Sequence, residues 1–240
     1  MAQLSRFFYE GAITTNDTIS LEEETAKHIW QVLRMQPGDD IEIADGKGTV
    51  GIATITEADR YECKVKVHKT QFYLRPAYLF HLCVAFTKNN SRNEWLIEKA
   101  TELGVASITP IAAARSEKVH FRDDRWEKLI ISALLQSKQN YRPLLYNVTT
   151  YLELLRKFAH IQHRYIAHCI PDTPKISFAS CILPKNEVVL LIGPEGDFKP
   201  EEVQLADTFS YRAVSLGAGR LRTETAAIAA AAYFNLLNDD

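Results

Sequence analysis

The residue types with the most chemistry to offer lie near the C-terminus, in VVLLIGPEGDF at 188–198 and VSLGAGRLRTETAAIAA at 214–230. Each segment is an apolar run that stops at glycines, the pattern of a strand entering a turn whose backbone N–H and C=O groups stay free to hold something flat and polar. Two such turns so close in sequence suggest one pocket. Beside them stand the carboxylates Glu195 and Glu224 and the cations Arg220 and Arg222. A carboxylate there orients a substrate or accepts a proton, and a guanidinium stabilises a developing anion but stays protonated, so it cannot be the base. Glu224 also reads as a first-turn carboxylate of a helix, and Glu195 as a group satisfying loop amides. Glycine-rich turns occur in α/β proteins that bind nothing at them, so spacing alone leaves both readings open.

The elements that must position these residues are legible around them. Val188 to Ile192 is a continuous β-branched and Leu run, expected of a strand buried on both faces. Gly193, Pro194 and Gly196 break it, and Pro200 with Glu201 and Glu202 behind it predicts a helix start. Val214 and Leu216 end a second strand, Gly217 and Gly219 turn, and Thr223 or Thr225 is expected to cap a small-residue helix running from Ala226 to Leu237. On that helix Ile228, Ala231, Ala232 and Leu236 share near-helical spacing, which suits a tightly packed core helix or a contact with a second copy of the chain.

Upstream, the spacing predicts strand then helix in alternation: Tyr78–Phe86, a helix over Asn93–Leu103, a strand at Ser107–Ala112, a helix over Asp123–Ser137 and a strand at Arg164–Ala167. Alternation of this kind demands a parallel sheet with helices on its faces. Residues 1–73 read instead as β-rich, with strands at Asp39–Ala44, Thr49–Ile55 and Tyr61–Val67 and a turn at Asp45 and Gly46. One helix, Glu22–Met35, carries Ile29, Val32 and Leu33 on one face. The chain is therefore expected to hold two domains, 1–73 and 74–240.

At 240 residues, 46% hydrophobic and 24% charged, the chain has enough apolar material for a sizeable core. No window approaches ~18 consecutive apolar residues and the N-terminus lacks the pattern of a signal peptide, so a cytoplasmic, non-membrane protein is expected. Cys63, Cys83, Cys169 and Cys181 are widely spaced without a CxxC pair, so reduced thiols are expected, with no metal site. Net charge is −2. Residues 1–73 carry 8 Lys and Arg against 12 Asp and Glu, and the remainder 20 against 18. Any contact with RNA must come from local patches, for which Lys88 with Arg92, and Arg115, Lys118 and Arg122, are the candidates; ordinary solvated loops are the alternative.

GPEG with Phe198 and Glu201, then LG and LRTETA, resembles the RsmE family, ribosomal RNA uracil-N3 methyltransferases of the SPOUT class. RFFYEG at 6–11, HIWQVLRMQPGD at 28–39, IEKATELGVASITPI at 97–111 and RWEKLIISALLQS at 125–137 agree, so the resemblance covers most of the chain. It implies an α/β SPOUT fold with a C-terminal trefoil knot behind a PUA-like β-barrel that helps grip RNA. It further implies S-adenosylmethionine as cofactor, small-subunit (16S) ribosomal RNA as partner, and a homodimer with the active site beside its interface. The cofactor residues implied are Leu191, Ile192, Gly193, Pro194, Glu195, Gly196, Leu216, Gly217, Leu221, Thr225 and Ala226. Arg222 and Glu195 are the catalytic candidates, Arg222 because a guanidinium would stabilise the anion that uracil becomes on losing its N3 proton. The RNA-binding candidates are the patches above together with Gln136, Arg142 and Arg220.

Three positions depart from the family pattern. Asp197 replaces a second glycine, Arg220 is displaced in LGAGRLR so that only Arg222 keeps register, and Gln139 stands where many members carry Arg, so that this site either recognises RNA differently or has Arg142 as a substitute. Two rival functions remain: ribose 2′-O methylation by a related SPOUT enzyme, and a non-catalytic RNA-binding assembly factor. A nicotinamide dehydrogenase fits poorly, because no GxGxxG opens the α/β part.

Overall fold

A computed structural model describes residues 4–118, 123–171 and 173–239. The chain divides into two compact units, Met1–Arg75 with Leu134–Arg142, and Pro76–Ala133 with Pro143–Asp240.

In the first unit, β1 (Arg6–Phe8), β2 (Thr18–Leu21), β3 (Asp40–Ala44), β4 (Thr49–Ala58) and β5 (Cys63–Phe72) form one sheet in the order β1-β3-β4-β5-β2. Alternation directs Ile41, Ile43, Ala53, Ile55, Val65 and Val67 into a common core. The turn between β3 and β4 is fixed by Asp45, whose Oδ1 accepts from the amides of Lys47 at 2.7 Å and Thr49 at 2.9 Å. Strands β1 and β2 escape sequence reading because they are only 3 and 4 residues long and pair with distant segments, Arg6 opposite Glu42 and Thr18 opposite Lys66. The segment 138–142 packs within this unit: the Arg6 guanidinium donates to the Lys138 carbonyl at 3.0 Å and to Asn140 Oδ1 at 3.2 Å.

The expected helix Glu22–Met35 is corrected. An α-helix, α1 (Glu23–Lys27), passes into a π-helix over His28–Leu33 and ends at Arg34 with φ 53°. The wider turn changes which residues share a face. Ile29 is buried, whereas Val32 and Leu33 are 64% and 40% exposed.

The second unit is a parallel sheet built from β6 (Phe80–Val84), β7 (Ser107–Ala112), β8 (Leu144–Leu145), β9 (Thr149–Thr150), β10 (His163–Ala167), β11 (Ile176–Ser177), β12 (Val188–Ile192) and β13 (Arg212–Ser215). The order runs β11-β13-β10-β12-β6-β7-β8, with β9 pairing β7. Central β12 is buried throughout, and its alternate residues feed two cores: Val188, Leu190 and Ile192 enter one, Val189 and Leu191 the other. The first core is closed by α2 (Asn90–Glu102), α3 (Asp123–Ser137), α5 (Phe178–Cys181) and α7 (Thr223–Leu237). The second is closed by α4 (Tyr151–Lys157) and α6 (Pro200–Thr208). Helices on both faces are what the strand-helix rhythm demands.

Two start signals read differently in the structure. Helix α7 begins at Thr223 rather than Ala226, and neither Thr223 nor Thr225 is its cap: Arg222 is the N-cap and has no side-chain cap bond. Its buried face is Ala226, Ala227, Ala230, Ala231 and Phe234, while Leu236 is 71% exposed. Asn89 caps α2, its side chain accepting from the amides of Ser91 and Arg92. Among the four cysteines, all free, Cys63 and Cys83 are buried and Cys169 is exposed.

Candidate active site

Strands β10, β12 and β13 lie side by side and end at the same edge, with Ile192 opposite Ala167 and Ala167 opposite Val214. The loops that follow them enclose a cleft of about 850 Å³. Crevices at the carboxyl ends of parallel strands are the usual ligand sites of open α/β sheets. One bond locks two of the loops together: the buried Thr223 hydroxyl donates to the Gly193 carbonyl at 3.1 Å.

The two key glycines are required for different reasons. At Gly193 a Cβ would stand 3.0 Å from the Phe198 ring, so the constraint is close approach. At Gly217 the backbone takes φ +138°, which L side chains rarely adopt. The departure at Asp197 is absorbed without glycine. Asp197 itself adopts φ 63°, which its short polar side chain tolerates, and its oxygens accept from the amides of Cys169 at 2.8 Å and Phe198 at 2.9 Å. It thereby pins the loop after β10 to the loop after β12.

Of the expected cofactor residues, Ile192, Gly193, Pro194, Glu195, Leu216, Gly217, Leu221 and Ala226 border the cleft. Leu191 is buried in the opposite core, Thr225 is exposed on α7, and Gly196 lies under the Arg115 side chain, whose Nη1 donates to the Gly196 carbonyl at 2.7 Å. Not all of the turn backbone is free. The Gly193 carbonyl is taken by Thr223, and the Pro194 carbonyl by the Asp197 amide at 2.8 Å.

The charged residues sort by their partners. Glu195 is exposed and its Oε1 accepts from Arg92 Nη1 at 3.0 Å, while Arg92 Nε lies 3.6 Å from Oε1 of the nearly buried Glu224. Arg92, a candidate RNA contact from sequence, thus bridges two carboxylates from the two glycine-containing segments. Arg220 and Arg222 both line the cleft and are exposed, and among the described residues neither side chain has a carboxylate partner. Lys88 and Lys118 are exposed, and Gln136 and Arg142 belong to the other compact unit. Arg122 lies outside the described residues.

Sequence reading passed over the end of β10 and the loop after it, which bring Ala167, and His168, Cys169 and Lys175, to the cleft, and also Ser215 and Thr223. A polar HC pair and a lysine directly beyond an apolar strand, in HRYIAHCIPDTPK, were the available signal. His168 is buried. Burial above all, and then the Lys175 charge, lower its pKa against a smaller opposing effect of Asp197. Its Nδ1 accepts weakly from the Ile170 amide at 3.3 Å, and its Nε2 has no partner among the described residues.

These features define an α/β ligand-binding protein whose cleft is walled by three strand-end loops and carries unpaired cations. The RNA methyltransferase domain family matches residues 75–235 and the RNA methyltransferase PUA domain family residues 21–67, and the chain belongs to the RNA methyltransferase family. It is 29% identical over 240 residues to Ribosomal RNA small subunit methyltransferase E of Buchnera aphidicola, covering 95% of this chain and 94% of that one. A probable rRNA-methyltransferase from Porphyromonas gingivalis superposes with TM-score 0.90 at 32% identity, with 98% of each chain covered. Ribosomal RNA small subunit methyltransferase E from Neisseria gonorrhoeae, solved bound to S-adenosyl methionine, superposes with TM-score 0.88 at 28% identity over 98% of each chain.

Proposed function

We propose that the chain is an S-adenosylmethionine-dependent methyltransferase acting on N3 of uracil in small-subunit (16S) ribosomal RNA. The observation that carries this reading is the Thr223–Gly193 bond, because it makes one cleft of two glycine-turn segments and sets Arg222 on the wall of that cleft. Family membership and relatives named as small-subunit ribosomal RNA methyltransferases support the reaction class and the RNA.

The cleft suits the cofactor in size and in chemistry. Its volume lies within the range of small-molecule sites, and it carries a buried imidazole nitrogen without a protein partner. Bound S-adenosylmethionine supplies an activated methyl group on a sulfonium. The chain's own part is to hold the two reactants in line and to manage charge on the acceptor. Arg222, exposed at the N-cap of α7, stabilises the negative charge that spreads over the uracil carbonyls as the N3 proton passes to a carboxylate, a role for which Glu195 borders the cleft. Glu195, steered by Arg92, orients the base from the opposite loop.

Several finer points belong to the same reading. The C-terminal segment threads a trefoil knot, residues 1–73 act as the RNA-gripping accessory domain of a methyltransferase domain over 74–240, and α7 contributes to a homodimer. The protein works in the cytoplasm. Among the described residues no helix is long and apolar enough to cross a membrane. Leu191, Gly196 and Thr225, implied by the resemblance as cofactor residues, do not border the cleft and are assigned no direct contact with the cofactor. Lys88, Arg115, Lys118, Arg122, Gln136, Arg142 and Arg220 serve the RNA, whereas Arg92, the other candidate, is committed to Glu195 and Glu224.

The test supplies methyl-labelled S-adenosylmethionine to unmodified small ribosomal subunits and identifies the labelled nucleoside after digestion. Label is expected in 3-methyluridine, and Arg222→Ala is expected to abolish most of it with donor affinity largely intact. Recovery in a ribose methyl would move the assignment to 2′-O methylation. Absence of any affinity for the donor or its demethylated product would leave a non-catalytic RNA-binding factor.

A further inference from the structure

The loop between β10 and β11 carries chemistry that neither glycine turn supplies. Lys175 borders the cleft half-buried, and among the described residues no carboxylate pairs with it; its ammonium donates only to the Ile170 carbonyl of its own loop, at 2.7 Å. The carboxylate across from this loop, Asp197, has both oxygens committed to backbone amides, Oδ2 to Cys169 and Oδ1 to Phe198. A lysine amine forms up to three hydrogen bonds and is poorly satisfied by one carbonyl.

The second observation is independent of charge. His168 is buried beside the same cleft, and its Nδ1 accepts from the Ile170 amide. A neutral imidazole whose Nδ1 accepts must carry its proton on Nε2. That Nε2 is the atom without a partner, so what is left over is an N–H donor. Buried donors that lack an acceptor are rare and costly, and one at a cleft wall marks a place where a ligand brings the acceptor.

We propose that this loop forms an anion subsite in which the Lys175 ammonium and the His168 Nε2–H receive the α-carboxylate at the amino-acid end of the methyl donor. The proposal rests on the reading of the cleft as the donor site, and it adds which end of the donor lies toward β10 and what recognises it. An RNA phosphate is the other anion that Lys175 could meet. The half-buried position of Lys175 and its nearness to a buried histidine favour a small ligand inside the cleft over a backbone tracking its rim.

The experiment compares two ligands by titration calorimetry on the full chain. S-adenosylhomocysteine carries the amino-acid end, and 5′-methylthioadenosine has the same nucleoside and thioether without it. Lys175→Met is expected to weaken S-adenosylhomocysteine on the order of ten- to a hundredfold, the loss of a charge-assisted contact, and to leave 5′-methylthioadenosine unchanged. Lys175→Arg is expected to restore most of the loss. His168→Phe, which removes the donor and keeps the ring, is expected to show the same selectivity with a smaller effect, and circular dichroism checks that each variant is folded. Equal weakening of both ligands, or of neither, overturns the subsite. So does a Lys175→Met protein that keeps its S-adenosylhomocysteine affinity and loses affinity for ribosomal RNA. If the unaltered protein binds neither compound, the donor-site reading fails and the subsite with it, a result distinct from loss of selectivity alone.

Discussion

A single hydroxyl, that of Thr223, couples the two glycine turns, and its removal is the sharpest residue-scale perturbation available. Thr223→Val keeps the shape and leaves the Gly193 carbonyl without its buried donor. Such a loss costs about 1–3 kcal/mol, so chemical denaturation should show a drop of that size, with weaker S-adenosylhomocysteine binding by calorimetry. Asp197 offers a graded comparison. Asparagine keeps an acceptor oxygen and tolerates positive φ, whereas valine loses both bonds and is strained at φ 63°. Asp197→Val should therefore lower stability by about 2 kcal/mol or more, and Asp197→Asn by much less. His168 links stability to pH. Burial, aided by the Lys175 charge, lowers its pKa in the folded protein, so as pH falls the unfolded chain takes up this proton first. Stability should decline as pH drops below about 6.5 and level off once the folded imidazole also titrates. In His168→Phe that part of the decline should vanish, as read from denaturation midpoints across the range.

Among the elements, those readable in the sequence are those whose signal is local. Val188–Ile192 is buried on both faces and uniformly apolar, and Pro200 opens α6 at the residue where proline is preferred, with Glu202 accepting from the Lys199 amide at 2.8 Å. Elements whose signal is distant are missed. The 2-residue strands β8, β9 and β11 have no period to detect, and the π-helix keeps an α-helical composition while changing which side chains share a face. The site shows the same division. Glycines and arginines beyond an apolar run announce two cleft walls, but the third wall is His168, Cys169 and Lys175, residue types that fit any loop until the sheet order sets β10 between β12 and β13. Helix α7 is the element most sensitive to volume. Ala230 is buried in the core that α7 shares with β6 and α2. Ala230→Leu should cost about 1–3 kcal/mol by overpacking, against under 0.5 kcal/mol for a change such as Leu236→Ser on the exposed side, provided the measurement is made at a concentration where the chain is monomeric.

For the whole molecule, a formal charge of −2 rules out RNA capture by bulk attraction, so affinity has to come from a few cations not already engaged within the protein. The ion pairs of the second unit say which those are. Arg92 is held by Glu195 and Glu224, whereas Lys88, Lys118 and Arg220 are exposed and, among the described residues, have no carboxylate partner. A cation that is already paired releases few ions when a phosphate arrives. A free one displaces a condensed counterion from the RNA, and each such contact adds about 0.7–0.9 to the slope of log affinity against log salt. Filter binding to small-subunit ribosomal RNA over a salt series should therefore show a slope that falls by about that amount in Lys88→Ala and again in Arg220→Ala. Arg92→Ala should leave the slope nearly unchanged and lower catalysis instead, because its loss frees Glu195 and leaves the nearly buried Glu224 without a counter-ion. Equal slope changes in all three variants would place Arg92 on the RNA rather than between Glu195 and Glu224.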